Sequence, residues 1–113
     1  MAEARNVALV HERVRTTPRR PQDLEEILEY IAADNPDAAD QVREEIYDTI
    51  KSLVPFPYAG HGRLDLTTRP LRFQTVREYV IAYAPDEKPL AIVAVLHGRR
   101  NPRVIAAILR TRS

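Results

Sequence analysis

Residues 23–46 read DLEEILEYIAADNPDAADQVREEI, and this stretch decides the fold because two amphipathic helical patterns meet at its Asn-Pro step. In the first half, apolar side chains follow the i, i+3, i+4, i+7 spacing of one helical face, at Leu24, Ile27, Leu28 and Ile31. This spacing predicts a helix over residues 22–33. Asn35 can cap a second helix that has Pro36 at its first position, where a proline needs no hydrogen-bonded N–H.

The second helix is indicated by another apolar stripe, which contains Ala39, Val42, Ile46, Ile50 and Leu53. The stripe predicts a helix over residues 36–53. Since each helix has one apolar face and the connection between them is short, we expect the two to pack as an antiparallel hairpin.

Strand-forming segments lie on both sides of this helical hairpin, at residues 7–15, 71–76, 79–83 and 90–96. The segment TTPRRP at 16–21 predicts a turn before the helices. Arg77-Glu78 predicts a two-residue turn, although neither residue favours the positive φ of common hairpin turns. The run LAIVAVL at 90–96 is apolar on both faces, as expected of a central strand that is covered on both sides.

A short amphipathic helix over residues 102–110 completes the predicted order β-α-α-β-β-β-α. The last three strands form a meander, so the sheet should be small and mostly antiparallel. The fold class is therefore α+β, with an N-terminal helical hairpin and a short C-terminal helix packed on the sheet. A chain of 113 residues without a linker-like segment is expected to form one domain over residues 1–113.

The composition excludes several kinds of chemistry. The chain has no cysteine, and His11, His61 and His97 are too scattered to form a metal-binding motif, so we expect no metal and no other cofactor. No apolar run approaches the roughly 20 residues of a membrane span. The first residues, MAEARNVALV, are too mixed for a signal peptide, so we expect a cytoplasmic protein without a membrane partner.

The net charge of +1 conceals a segregation of charge along the chain. Residues 16–56 contain four basic and ten acidic side chains, whereas residues 57–113 contain ten basic and four acidic ones. Nine of those ten cations are arginines, which offer planar donor groups to carboxylates, phosphates or bases. This favours a basic working face, while the acidic part agrees equally well with solvated helix surfaces.

Four segments in order resemble the RelE/ParE superfamily of bacterial toxins. They are the helical pair at 23–46, the L...P..G pattern at 53–60, REYVIAY at 77–83 and VAVLHGRRNP at 93–102. The resemblance covers roughly residues 10–105 and implies a small antiparallel sheet packed with a helical hairpin. It also implies the toxin of a type II toxin–antitoxin module, a kind of module associated with plasmid stabilisation. A cognate, ParD-like antitoxin would neutralise it by direct binding in a hetero-oligomer.

The superfamily has two functional branches. RelE-like members cut messenger RNA in the ribosomal A site, whereas ParE-like members inhibit DNA gyrase and are not nucleases. RelE-like members usually have an arginine where this chain has Val80, and a tyrosine or histidine near the position of Ile105. These departures and the VLHGRRN segment favour the ParE-like branch, and hence a gyrase inhibitor that is not an enzyme. A RelE-like mRNA endonuclease and a non-toxic binding relative stay open as alternatives.

The candidate residues for binding the target or the antitoxin are cationic or can become so: Arg72, Arg77, His97, Arg99 and Arg100. We expect them to bind a protein partner, without sequence-specific binding of nucleic acid. No catalytic residue is expected in a ParE-like protein, whereas His97 and Arg99 would be catalytic in a RelE-like one. A plainer alternative is a strand-to-helix loop in which His97 bonds a backbone carbonyl and the arginines are solvated.

Overall fold

The protein is represented by a computed structural model that describes residues 14–16 and 20–112, with side-chain detail from Asp23 onward. Its elements are β1 (Val14–Thr16), α1 (Arg20–Asp34), α2 (Pro36–Leu53), β2 (Arg72–Val76), β3 (Tyr79–Ala84), β4 (Leu90–His97) and α3 (Pro102–Thr111). Their order confirms the predicted β-α-α-β-β-β-α arrangement and the α+β class.

The boundaries differ most at the start of α1. This helix begins at Arg20, and β1 extends to Thr16, so the turn predicted over residues 16–21 is wrong at its first residue and at its last two. Pro21 fits there because the first helical turn has no internal partner for its backbone N–H groups, so a missing N–H does no harm. Residues 14–16 form the short β1, while residues 7–13 of the predicted first strand lie outside the described residues.

The helical hairpin forms as its sequence predicts. The side chain of Asn35 accepts a hydrogen bond of 3.1 Å from the backbone N–H of Ala38, and Pro36 occupies the first turn of α2. The buried residues of α2 are the members of the predicted stripe, Ala39, Val42, Ile46, Ile50 and Leu53. Capping and apolar spacing therefore determine both where α2 begins and which face it buries.

The four strands form one sheet in the order β1-β4-β3-β2. Strands β2, β3 and β4 are antiparallel neighbours, and β1 pairs with β4 in parallel. Two parallel neighbouring strands need a long connection between them. Here the helical hairpin, β2 and β3 lie between β1 and β4 along the chain, so β4 can lie between β1 and β3 in the sheet. The sheet is thus mostly antiparallel, as predicted.

Apolar cores lie on both faces of the sheet. The helical hairpin covers one face, where Ile46, Ile50 and Tyr83 are completely buried. Helix α3 and the segment before β2 cover the other face, where Leu109 is completely buried. All residues of β4 from 90 to 96 are buried, which confirms that this strand is covered on both sides.

A β-bulge changes the direction of the side chains in β4. Ala82 pairs with Ala94 and Tyr83 pairs with Ile92, so Val93 is the additional residue of the bulge. Val93 and Ala94 consequently both belong to the core beneath α3. Beyond the bulge, Val95 returns to the helical-hairpin side, and His97 follows it two residues later.

The part of the chain that the structure describes contains no helix with the length and apolar character needed to cross a membrane.

Candidate functional site

The predicted binding residues occupy two places on the sheet. Arg72 begins β2 and pairs with Tyr83, whereas Arg77 lies in the turn at the opposite end of the same hairpin. His97 pairs with Tyr79 and therefore ends β4 beside the Arg77-Glu78 turn. The structure thus brings four of the five candidates to one end of the sheet and leaves Arg72 at the other end.

Arg72 is largely engaged inside the protein. Its Nη1 donates to the backbone carbonyls of Gly60 and Tyr58, at 2.6 and 3.1 Å. Its guanidinium carbon also lies 5.3 Å from the centre of the Tyr58 ring. These contacts fasten the loop that precedes β2 to the edge of the sheet, so the contacts explain Arg72 without a partner molecule. A role in binding one stays a prediction.

Arg77 lies in an unusual backbone conformation. Its φ is +54°, in the left-handed region that residues with a side chain rarely adopt. Its Nε lies 2.5 Å from Oε2 of Glu45 on α2, so an ion pair ties the turn to the helical hairpin. The sequence showed that the turn was unfavourable, but it could not show that an acidic residue of α2 would lie within reach.

His97 is held from two directions. Its Nδ1 accepts a hydrogen bond of 3.1 Å from the backbone N–H of Arg99. Its Nε2 lies 3.3 Å from a carboxylate oxygen of Glu78, and Tyr79 packs against the imidazole edge to face, with ring centres 5.4 Å apart. An Nδ1 that accepts leaves Nε2 to carry the proton of the neutral ring, and that proton points toward Glu78.

Arg99 and Arg100 belong to a larger group of exposed arginines that we call the basic edge: Arg99, Arg100, Arg103 and Arg110. Two members precede α3, and the other two are seven residues apart on it, which places them on one helical face. Among the described residues, no side chain forms a hydrogen bond or an ion pair with any of the four guanidinium groups. The basic edge is therefore a cationic surface whose donors face solvent.

The remaining arginines of this half of the chain have structural contacts. Arg69 donates to the backbone carbonyls of Leu109 and Arg112, at 2.6 and 2.7 Å, and so binds the C-terminal end of α3. Arg63 forms a two-bonded pair with Asp65 at 2.7 and 2.8 Å. That pairing raises the pKa of Arg63 and lowers the pKa of Asp65, chiefly through the hydrogen bonds between the two side chains.

Arg112 forms the most deeply buried ion pair of the described residues. Its two terminal nitrogens bind the two carboxylate oxygens of Asp23, with 2.9 Å between Nη2 and Oδ1. The side chains are only 10% and 13% exposed. Asp23 also accepts the backbone N–H of Val95 at 3.3 Å, so one carboxylate connects α1, β4 and the end of α3. Sequence reasoning missed this connection, because the two paired residues are 89 positions apart.

A cleft of about 750 Å³ opens between α1, the end of β4 and α3. Its apolar lining comes from the half-buried Ile27, Ile31 and Ile108, and its rim carries Tyr30, which is 83% exposed. Acidic side chains of α1 and the turn also line it, Glu26, Asp34 and Glu78, together with the basic side chains His97 and Arg100. The cleft combines apolar contact area with charges of both signs, which suits a protein segment.

Titratable side chains line the cleft, among them His97, Glu78 and Tyr79. Burial, followed by the nearby carboxylate of Glu78, raises the pKa of Tyr79, so its hydroxyl keeps its proton near neutral pH. Within the described ranges, no group of three or more His, Cys, Asp or Glu side chains is placed to hold a metal ion. The described lining of the cleft offers hydrogen-bonding groups, charges of both signs and apolar contact area.

The small, mostly antiparallel sheet packed with a helical hairpin is the fold that the resemblance to the RelE/ParE superfamily implied. The family described as "ParE toxin of type II toxin-antitoxin system, parDE" matches residues 14–102, so this chain belongs to the ParE toxin family. The chain is also similar to a Sinorhizobium fredii protein named "Putative toxin Y4kP". The two are 33% identical over 100 residues, which cover 82% of this chain and 96% of the relative. These findings confirm the predicted superfamily.

Proposed function

We propose that this protein is the toxin of a type II toxin–antitoxin module that acts in the cytoplasm by binding and inhibiting DNA gyrase. A cognate antitoxin neutralises it by binding directly. The protein inhibits its target as a ligand and cleaves no RNA. Membership of the ParE toxin family supports this proposal at the level of the module, and the arrangement of cations at the end of β4 supports binding over catalysis.

One observation carries the choice of binding over cleavage. Attack of a 2′-hydroxyl on RNA needs a group that removes a proton and another that supplies one to the leaving oxygen. His97 is the best candidate for either role, but both of its ring nitrogens are occupied, by the Arg99 backbone and by Glu78. The arginines of the basic edge, in contrast, are open to a partner.

The contact between His97 and Glu78 is also the feature on which the nuclease alternative depends. Glu78 beside His97 is an arrangement that can support proton transfer if a substrate displaces one contact. In that case His97 and Arg99 would act on messenger RNA, as in RelE-like relatives. Cleavage of messenger RNA at the ribosomal A site, with gyrase unaffected, would reverse our assignment.

The antitoxin site that we propose is the cleft. Tyr30 and the half-buried isoleucines Ile27, Ile31 and Ile108 provide apolar area that the protein leaves accessible. A segment that folds on binding must bury a large area to offset the cost of its ordering, and a cleft of about 750 Å³ contributes to such an area. We infer that an antitoxin segment occupies the cleft between α1 and α3.

Gyrase supercoiling in the presence of purified protein tests the target. We expect inhibition by the unaltered protein, and at least about tenfold weaker inhibition by Arg99→Ala, a loss typical of a hot-spot arginine. Arg63→Ala is the matched control, because it removes the same charge from an exposed arginine outside the basic edge. Messenger RNA on stalled ribosomes should stay intact. Equal losses in the two variants would show that the effect is one of net charge and would contradict a specific basic edge.

A further inference from the structure

The contacts around His97 distinguish it from the arginines beside it. Arg99 and Arg100 are exposed and face solvent, whereas the His97 side chain is only about one-third exposed, at 36%. Its neighbours are Glu78, Tyr79 and the backbone of its own turn. Both ring nitrogens are therefore engaged within the protein, and the imidazole is well placed to control the turn.

We propose that His97 is the positioning residue of the turn that presents the basic edge, and that it acts only as a neutral imidazole. Its Nδ1 accepts the N–H of Arg99 and thereby fixes the first residue of the basic edge. Protonation places a hydrogen on Nδ1, removes the acceptor and releases that N–H. The role of this control in toxicity rests on the proposed function of the basic edge.

Three features of the fold bring the imidazole to this position. The bulge at Val93 turns His97 to the helical-hairpin side, where Tyr79 and Glu78 lie. The backbone N–H of Gly98 donates to the Glu78 carbonyl at 2.8 Å, so the two turns are joined by their main chains as well. Arg77 adopts a backbone conformation that is rare for a residue with a side chain, and it forms an ion pair with Glu45. This ion pair holds the Arg77-Glu78 turn in place.

Charged and polar groups from several elements face His97. Glu78 lies beside Nε2, the N–H of Arg99 bonds Nδ1, and Arg100 lines the same cleft. From the other elements around the cleft, Glu26, Tyr30 and Asp34 come from α1. The pair formed by Asp23 and Arg112 joins α1 to the end of α3. Any pH dependence must be separated from the titration of these neighbours, which requires a variant that changes only the imidazole.

Two substitutions of His97 distinguish the role of Nδ1 from the role of Nε2. His97→Asn places an amide oxygen where Nδ1 lies and can accept the N–H two residues later, as asparagine commonly does in turns. His97→Gln places its amide near the position of Nε2, so it can reach Glu78 but cannot accept that N–H. The first variant therefore preserves the turn at every pH, and the second loses it.

Nuclear magnetic resonance of the full chain provides the direct test. At about pH 8, where an ordinary histidine is neutral, we expect the Nε2-protonated tautomer and an Arg99 amide that exchanges slowly with solvent. His97→Asn should keep that protection, and His97→Gln should lose it about threefold to tenfold, which corresponds to one neutral hydrogen bond. Intact-mass measurement verifies that the introduced asparagine, which precedes Gly98, has not deamidated. Thermal melting verifies that both variants fold.

The pH profile of gyrase inhibition links the turn to function. Inhibition by the unaltered protein should weaken as His97 becomes protonated, whereas His97→Asn should show a flatter profile because the other charged neighbours are common to both. An Nδ1-protonated ring, or equal Arg99 protection in the two variants, would overturn the role of His97. If gyrase is insensitive to the unaltered protein, the proposed target fails, and the tautomer and the Arg99 amide still decide the role of His97.

Discussion

The arginines of the C-terminal half fall into two groups that differ in what their guanidinium groups bind. Arg63, Arg69, Arg72, Arg77 and Arg112 bind carboxylates or backbone carbonyls of the protein itself. The four arginines of the basic edge are exposed and face solvent. Residues of one type thus do two kinds of work. The charge of a segment therefore says little about function until the internal partners are known.

The largest expected effect lies in the first group, at Arg112. Among the described residues, replacing it by alanine leaves Asp23 with the Val95 N–H as its remaining hydrogen bond, in a site where the carboxylate is 13% exposed. Breaking a pair of this kind should lower the free energy of unfolding by about 3 kcal/mol. Urea denaturation measures the change, and Arg110→Ala, two residues away on the exposed side of α3, is the control.

A double variant tests whether the pair itself is responsible. Asp23→Ala combined with Arg112→Ala should cost clearly less than the sum of the single variants, because neither partner is left with an unpaired charge. Additive losses would mean that the two side chains stabilise the protein independently. In that case the division between internal and solvent-facing arginines would lose its best example.

Sequence periodicity predicted the helices and strands, but it could not predict which arginines form ion pairs inside the protein. The stripe of α2 and the double-sided burial of β4 depend on local apolar spacing, which is visible in the residues themselves. The pair formed by Asp23 and Arg112 joins positions 89 residues apart, and nothing local distinguishes Arg112 from Arg110. The bulge at Val93 was equally hidden, since a run of apolar residues has no polar side chain to mark a change of face.

The candidate site was predicted in part. The end of β4 and the Arg77-Glu78 turn do come together, because consecutive antiparallel strands place Tyr79 opposite His97. Arg72 lies at the other end of its hairpin, since residues at the two ends of a strand cannot share one end of the sheet. The cleft was not foreseen, because it depends on how α3 packs beside α1.

A smaller effect is expected at Tyr83, which supports the loop that Arg72 also holds. Its hydroxyl oxygen accepts the backbone N–H of Gly60 at 2.9 Å, so Tyr83→Phe should cost about 1 kcal/mol at neutral pH. Burial raises the pKa of Tyr83, and the native state therefore retains the phenolic proton to higher pH than the unfolded state does. Its contribution to stability is present below about pH 10 and is lost as the pH rises through the native pKa.

The free energy of unfolding, measured at neutral and alkaline pH, tests whether stability falls as the pH rises through the pKa of Tyr83. The stability of the unaltered protein should fall above about pH 10, and Tyr83→Phe should show a smaller fall. The variant retains Tyr58 and Tyr79, whose pKa values are also raised, so part of the alkaline loss should persist. An equally steep fall in the variant would show that deprotonation of Tyr83 does not cause the loss of stability at alkaline pH.

The smallest effect on stability is expected in the second group of arginines. Arg99→Ala and Arg100→Ala should each change the free energy of unfolding by no more than about 0.5 kcal/mol, because no described residue forms a hydrogen bond or an ion pair with either guanidinium group. Their contribution to antitoxin affinity should also be modest, about 0–1 kcal/mol each, since exposed ion pairs are weak and screened by salt.

Tyr30→Ala should weaken that complex by about 2 kcal/mol or more if Tyr30 is an anchor of the cleft.

Affinities for the antitoxin at two salt concentrations decide between these contributions. Phe56→Ala controls for Tyr30→Ala, because Phe56 is an exposed aromatic residue, at 70%, that does not line the cleft. An antitoxin seated in the cleft should depend more on Tyr30 than on either arginine and should retain most of its affinity at high salt, because apolar burial is not screened. If the arginine variants lose far more than Tyr30→Ala and salt abolishes binding, the antitoxin binds the basic edge. The solvent-facing arginines would then serve neutralisation, and the site for gyrase would have to lie elsewhere or be shared with the antitoxin.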